Sequence, residues 1–182
     1  LEAFESLNLI VTRYALEKPY PVVIERILAQ ANDQQAIVFT DFASGMTKII
    51  DRANINKRRV FIFDHHGIDA LDTNCNLINC RAFGISGDLD CSAGTIAGLF
   101  LFVLNKSEKS VLGLIGALGD GQQDKNQQFT GLNLELLLLL RDISFDEKFY
   151  RQIFLDLQTE KQELTKQLVN HCNMLGSLRY YD

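Results

Sequence analysis

Two of the chain's three histidines stand side by side, His65 and His66, directly after Asp64. The tripeptide closes Val60-Phe61-Ile62-Phe63, a run of β-branched and aromatic residues of the type that fills strands. Asp41 closes a second such run, Ile37-Val38-Phe39-Thr40. A third carboxylate, Asp120, follows the apolar stretch Leu112 to Leu118 in the segment G-A-L-G-D-G. Carboxylates suit hard divalent cations such as Mg²⁺ and Mn²⁺, and an added imidazole shifts the preference toward Mn²⁺ or a heavier transition metal. The glycines around Asp120 allow a tight turn and a close approach of backbone to a ligand. Taken singly, Asp41 and Asp120 read more readily as helix caps than as ligands, and the histidines as ordinary loop residues. At average composition the Asp-His-His tripeptide arises by chance in roughly one chain in a few hundred of this size.

The elements that must position these residues alternate. Leu9 to Tyr14 is a short strand-like run; Pro21 is suited to open a helix over Val22 to Ala31. Ala36 to Thr40 reads as a strand covered on both faces, Ser44 to Ala53 as a helix, Val60 to Phe63 as a second buried strand and Cys75 to Cys80 as a weaker one. This βαβα order predicts an α/β fold, a parallel sheet with helices on both faces. In such sheets ligands bind beyond the carboxyl ends of the strands, which is where Asp41 and Asp64 to His66 fall. The second half is more helical: Ser92 to Leu104 with Asp90 or Ser92 as N-cap, Ser110 to Leu118, an all-round apolar and hence deeply packed Leu132 to Leu140, and one long or two shorter helices over Phe149 to Leu175. Asp124 to Gln128 reads as a polar loop.

Composition excludes several classes. With 182 residues, 47% of them apolar, intrinsic disorder is ruled out. No apolar run approaches the ~20 residues of a membrane span. A net charge of −5 argues against a broad basic face for duplex nucleic acid. The one basic cluster, Lys57-Arg58-Arg59, lies at a strand's start, away from the acidic residues, and reads as a solvated edge. Four cysteines (Cys75, Cys80, Cys91, Cys172) without C-x-x-C spacing read as small buried hydrophobes in a reducing compartment. No signal-peptide pattern opens the chain, so the expected location is the cytoplasm.

The segment F-I-F-D-H-H-G resembles the signature of the DHH phosphoesterase superfamily, which includes RecJ exonucleases, oligoribonucleases, cyclic-dinucleotide phosphodiesterases and family II inorganic pyrophosphatases. I-V-F-T-D-F-A-S-G is similar to that superfamily's second motif, C-S-A-G-T to the helix start after the DHH strand, and G-A-L-G-D to the fourth motif. I-N-C-R-A-F-G-I-S-G and G-L-N-L-E-L resemble the archaeal RecJ-like branch. The likeness runs from about Leu1 to Leu140. It implies a Rossmann-like DHH domain over residues 1–145, followed by a helical extension over 146–182. It further implies a two-ion Mn²⁺ or Mg²⁺ site with Asp41 bridging the ions and His65 and Asp120 completing the shell of one. Asp64 would orient His65, and His66 would face the scissile phosphate. Amides from Ser92 to Gly94 would hold a phosphate oxygen, with Arg81 a weaker contact.

The activity so implied is metal-dependent hydrolysis of single-stranded DNA or RNA, releasing nucleoside monophosphates. Two alternatives stand beside it: an inactive RecJ-like scaffold on replisome proteins, and a small-nucleotide phosphodiesterase or pyrophosphatase. The sequence departs from the pattern in one respect. No D-x-D pair precedes Asp41, so the first motif is expected upstream of Leu1, truncated or lost, leaving the two-ion site only partly supplied. The DHH-associated C-terminal domain is likewise without a counterpart.

Overall fold

The computed structural model describes residue 4, residues 7–16 and residues 20–178. Three parallel strands, β1 (Ile37–Thr40), β2 (Val60–Asp64) and β3 (Asn76–Asn79), form one sheet in the order β1-β2-β3. Ile37 pairs with Val60 and Phe39 with Ile62; on the other side Phe61 pairs with Asn76 and Phe63 with Ile78. Parallel neighbours in chain order need crossovers. The first is α2 (Thr47–Ala53), entered through a 3₁₀ turn at Ser44–Met46. Ahead of β1 lies α1 (Pro21–Gln30), opened by Pro21, whose missing N–H costs nothing in the first helical turn.

The two-residue period of the strands sorts their side chains between two cores. Ile37, Phe39, Val60 and Ile62 face α1 and α2, where Ile24, Leu28 and Ile50 are fully buried. Phe63 and Ile78 point to the opposite face and pack with Cys80, which follows β3, with Cys91, and with Ile96 of α3 (Ala93–Val103). Helices therefore cover both faces of the sheet. Each fully buried Ile or Leu contributes about 1.5–3 kcal/mol relative to exposure.

The third core is helical. It joins α4 (Val111–Gly119), α5 (Gly131–Leu139) and α6 (Lys148–Leu157) through Val111, Leu114, Leu136, Ile153 and Leu157, with Leu168 of α7 (Glu163–Leu178) packed against it. Helices α3 and α4 cross at glycine. A Cβ on Gly94 would stand 2.8 Å from the Gly113 carbonyl oxygen and 3.0 Å from Gly116 Cα, so the backbones approach as only glycine allows. Among the described residues, no helix is long and apolar enough to cross a membrane.

Four expectations are corrected. Leu9 to Tyr14 forms no strand: the segment lies on the surface with Ile10 fully exposed, and among the described residues no neighbouring strand covers its apolar side chains. The helix near Leu132 to Leu140 buries Leu136 and Leu137 but exposes Leu134 and Leu139, because neighbours cover only one side. Arg58 is not solvated. Its guanidinium is tucked beneath α1, donating to the Leu28 carbonyl at that helix's C-terminal end, with Asp33 3.8 Å away. Cys172 is exposed, whereas the other three cysteines are buried as expected. The C-terminal stretch resolves into two helices, α6 and α7.

Candidate metal centre

All three strands deliver polar residues at their carboxyl ends: Asp41 follows β1, Asp64 ends β2 and Asn79 ends β3. The β1 exit is held in a costly shape. Asp41 (φ 68°) and Ala43 (φ 89°) are both left-handed without being glycine, a strain of roughly 1–3 kcal/mol each. The Asp41 amide still donates to the Phe63 carbonyl (2.9 Å), so the turn starts in register with β2.

Asp64 is fully buried and acts as a hub. Its Oδ2 accepts from the Ser44 amide (2.9 Å); its Oδ1 accepts from the amides of His65 (2.8 Å) and His66 (3.2 Å) and lies 2.7 Å from His66 Nδ1. Burial works against its charge. The hydrogen bonds from the His66 ring and from the Ser44 and His66 amides outweigh it and hold the carboxyl below its usual range. Asn79 ties the same loops together, donating to Ser44 Oγ (2.8 Å) and to the His66 carbonyl (2.9 Å).

The His65 ring turns inward. Its Nδ1 lies 2.6 Å from the Gly87 carbonyl oxygen. Its Nε2 lies 3.3 Å from Asp41 Oδ1 and 3.6 Å from Asp120 Oδ2, yet it is buried with no hydrogen-bond partner. The neighbouring Asp41 carboxylate raises this imidazole most; burial opposes it, and the Gly87 carbonyl and Asp120 add to the rise, so the group is pushed up to about 9. Burial likewise pushes Asp120 upward, and the Asp41 charge adds to that, against the opposing pull of His65 and His66.

His65 Nε2 thus lies near both Asp41 and Asp120, but among the described residues the group whose ligand atoms all fall within 4.8 Å of one another is Asp41, His65 and His66, with Asp120 reaching it through His65. A buried ring nitrogen that makes no hydrogen bond and is flanked by two carboxylates is a donor set that fits a divalent cation. Asp120 caps the C-terminus of α4, where the helix dipole adds partial negative charge. It also lines an open groove of about 250 Å³ between α4 and α7, with Ile115, Val169 and Asn173. A larger groove of about 550 Å³ between α1 and α2 holds none of the candidate residues.

Other residues take different places from those expected. Asp64 orients His66 and the His65 backbone; the His65 ring is held by Gly87 instead. Arg81 directs Nε to the His65 carbonyl (2.7 Å) and Nη2 to Asp88 (2.6 Å), clamping the loop. The Ser92 amide is engaged by Asn133 Oδ1 (3.3 Å), and the Ser92 hydroxyl caps α3 by accepting from the Thr95 amide (2.9 Å). Gly94 lies at the α3–α4 crossing.

Gly87, Asn79, Gln122 and Asn133 escaped the sequence reading. The last left a trace, a lone amide in the apolar run G-L-N-L-E-L. Gly87 left none: a Cβ there would stand 1.9 Å from the His65 carbonyl oxygen, a long-range approach invisible in sequence. No protein-family model and no curated protein sequence matches the chain.

Proposed function

We propose that the chain is a divalent-cation-dependent phosphoesterase, a Rossmann-like domain of the DHH type, that hydrolyses phosphodiesters of single-stranded DNA or RNA. One observation carries the reading: the buried Nε2 of His65 stands without a hydrogen-bond partner beside the Asp41 and Asp120 carboxylates. The motif likeness supplies the substrate class. Asp41, His65 and Asp120 would hold the cation. When bound, Mn²⁺ or Mg²⁺ supplies Lewis acidity, lowering the pKa of water and offsetting charge on phosphoryl oxygens.

The chain's own groups do the rest. Asp64 accepts the His66 Nδ1–H and so directs that ring's Nε2 away from itself; the side chain is more than half exposed, free to meet a phosphate oxygen. Asp64, Ser44 and Asn79 lock the two strand-end loops together, so the carboxylate and imidazole tips are placed before substrate arrives.

A second reading, a partner-binding module without catalysis, is favoured by the apolar surface of residues 7–14. The test is incubation with a single-stranded oligonucleotide and Mn²⁺. Mononucleotide release that is abolished by Asp41→Asn supports the phosphoesterase. No release, together with retained Mn²⁺ uptake, favours the binding module.

A further inference from the structure

Behind the His65 ring runs a chain of buried amides whose polarity is fixed at one end by backbone. Asn133 is fully buried. Its Oδ1 accepts from the Ser92 amide (3.3 Å) and the Thr95 hydroxyl (2.6 Å), and its Nδ2 donates to the Leu89 carbonyl (3.0 Å). A backbone N–H can only donate and a carbonyl can only accept, so the orientation of this amide is not free to reverse. Its remaining Nδ2–H reaches Gln122 at 2.9 Å, which must therefore present Oε1. Gln122, itself buried, then turns Nε2 toward the Gly87 carbonyl (2.9 Å). The same carbonyl oxygen lies 2.6 Å from His65 Nδ1.

We infer that Gln122 and Asn133 are positioning residues: they hold the Gly87 carbonyl as a fixed acceptor, which keeps the proton on His65 Nδ1 and directs Nε2 at Asp41 and Asp120, so that Nε2 is the nitrogen that gives up its proton to a cation. A carbonyl at 2.6 Å cannot sit against an unprotonated Nδ1, because two lone pairs would oppose each other. The Gln122 Nε2, 3.1 Å from the same ring nitrogen, keeps its hydrogens on carbonyl oxygens at 2.9 and 3.3 Å. Second-sphere partners of this kind orient a ligating imidazole, and their loss typically weakens metal binding 10–100-fold. The role as a ligand-positioning device rests on the cation reading proposed above; the tautomer does not.

The test uses ¹⁵N side-chain spectra of the metal-free chain, at a pH where the imidazole is neutral, with His65 assigned by its loss in His65→Asn. An Nδ1–H tautomer is expected, and an Nε2–H tautomer overturns the inference. Gln122→Met keeps the length and removes donor and acceptor; Asn133→Asp keeps the acceptor and removes the donor to Gln122. Both are expected to weaken Mn²⁺ binding 10–100-fold by calorimetry. Unchanged affinity in both, with folded circular dichroism, overturns the positioning role. Should either variant unfold, the wild-type tautomer still decides. A wild-type chain that shows Nδ1–H but takes up no Mn²⁺ contradicts the cation reading while supporting the amide relay.

Discussion

His65 Nε2 stands 3.3 Å from Asp41 Oδ1, although the two residues leave different strands and their side chains arrive from different loops. The approach is built by β1 and β2 pairing in parallel, Phe39 to Ile62 and Thr40 to Phe63, so that both strand exits open on one edge. Like charges are gathered there, since Asp41 and Asp120 both flank one imidazole. Such an arrangement is costly without a positive counterpart. A proton on His65 supplies one, and a divalent cation supplies more.

These two occupants compete, which gives a pH signature. In the metal-free chain His65 is raised from 6.5 to about 9. Its contribution to stability is fully present below 6.5 and is lost as pH rises through about 9. Mn²⁺ affinity runs the other way, increasing over the same window as the proton leaves. Denaturant unfolding with a chelator at pH 6, 8 and 10, compared with His65→Asn, checks the first trend; calorimetry in matched buffers checks the second.

Asp64 predicts an acid limb. Its carboxyl is held below 3.8, so its stabilisation is present above that value and disappears as pH falls through the lowered pKa. Asp64→Asn should destabilise at neutral pH. An amide cannot accept at both of its heavy atoms, so either the Ser44 amide or the His65 and His66 donors would lose a partner. A buried unsatisfied donor costs about 1–3 kcal/mol, readable as a lowered urea midpoint and a flattened acid limb.

The glycine facing His65 predicts a local clash. Gly87→Ala would drive a methyl into the His65 carbonyl, a backbone atom that cannot rotate away. A loss of about 1–3 kcal/mol or more is expected, as for overpacked cores, together with weaker Mn²⁺ uptake. Gly67→Ala, with nothing within 4 Å of its added Cβ, should stay within about 0.5 kcal/mol.

Strand exits were readable in sequence because β-branched and aromatic runs end abruptly in Asp41 and Asp64, and the cap at Ser92 because a small hydroxyl precedes an apolar helix. Local pattern carries such features. It misled at Leu9 to Tyr14, where strand-like composition meets no pairing edge among the described residues, and at Arg58, whose burial depends on α1 packing above it. The partner of each histidine ring was also beyond reach. Asp64 precedes both imidazoles, and only the backbone turn decides that its carboxylate meets His66 while His65 swings to Gly87. Gln122 is hidden for the same reason, since its partners come from three separate segments, the His65 loop, the Gly87–Cys91 connection and the helix carrying Asn133.

The central claim is that Asp41, His65 and Asp120 share a cation. Calorimetric Mn²⁺ titration of the wild-type chain, His65→Ala and Asp120→Ala tests it most directly, with circular dichroism as a check on folding. Saturable uptake by the wild type that vanishes in both folded variants is the predicted result. Equal uptake by all three chains would contradict it.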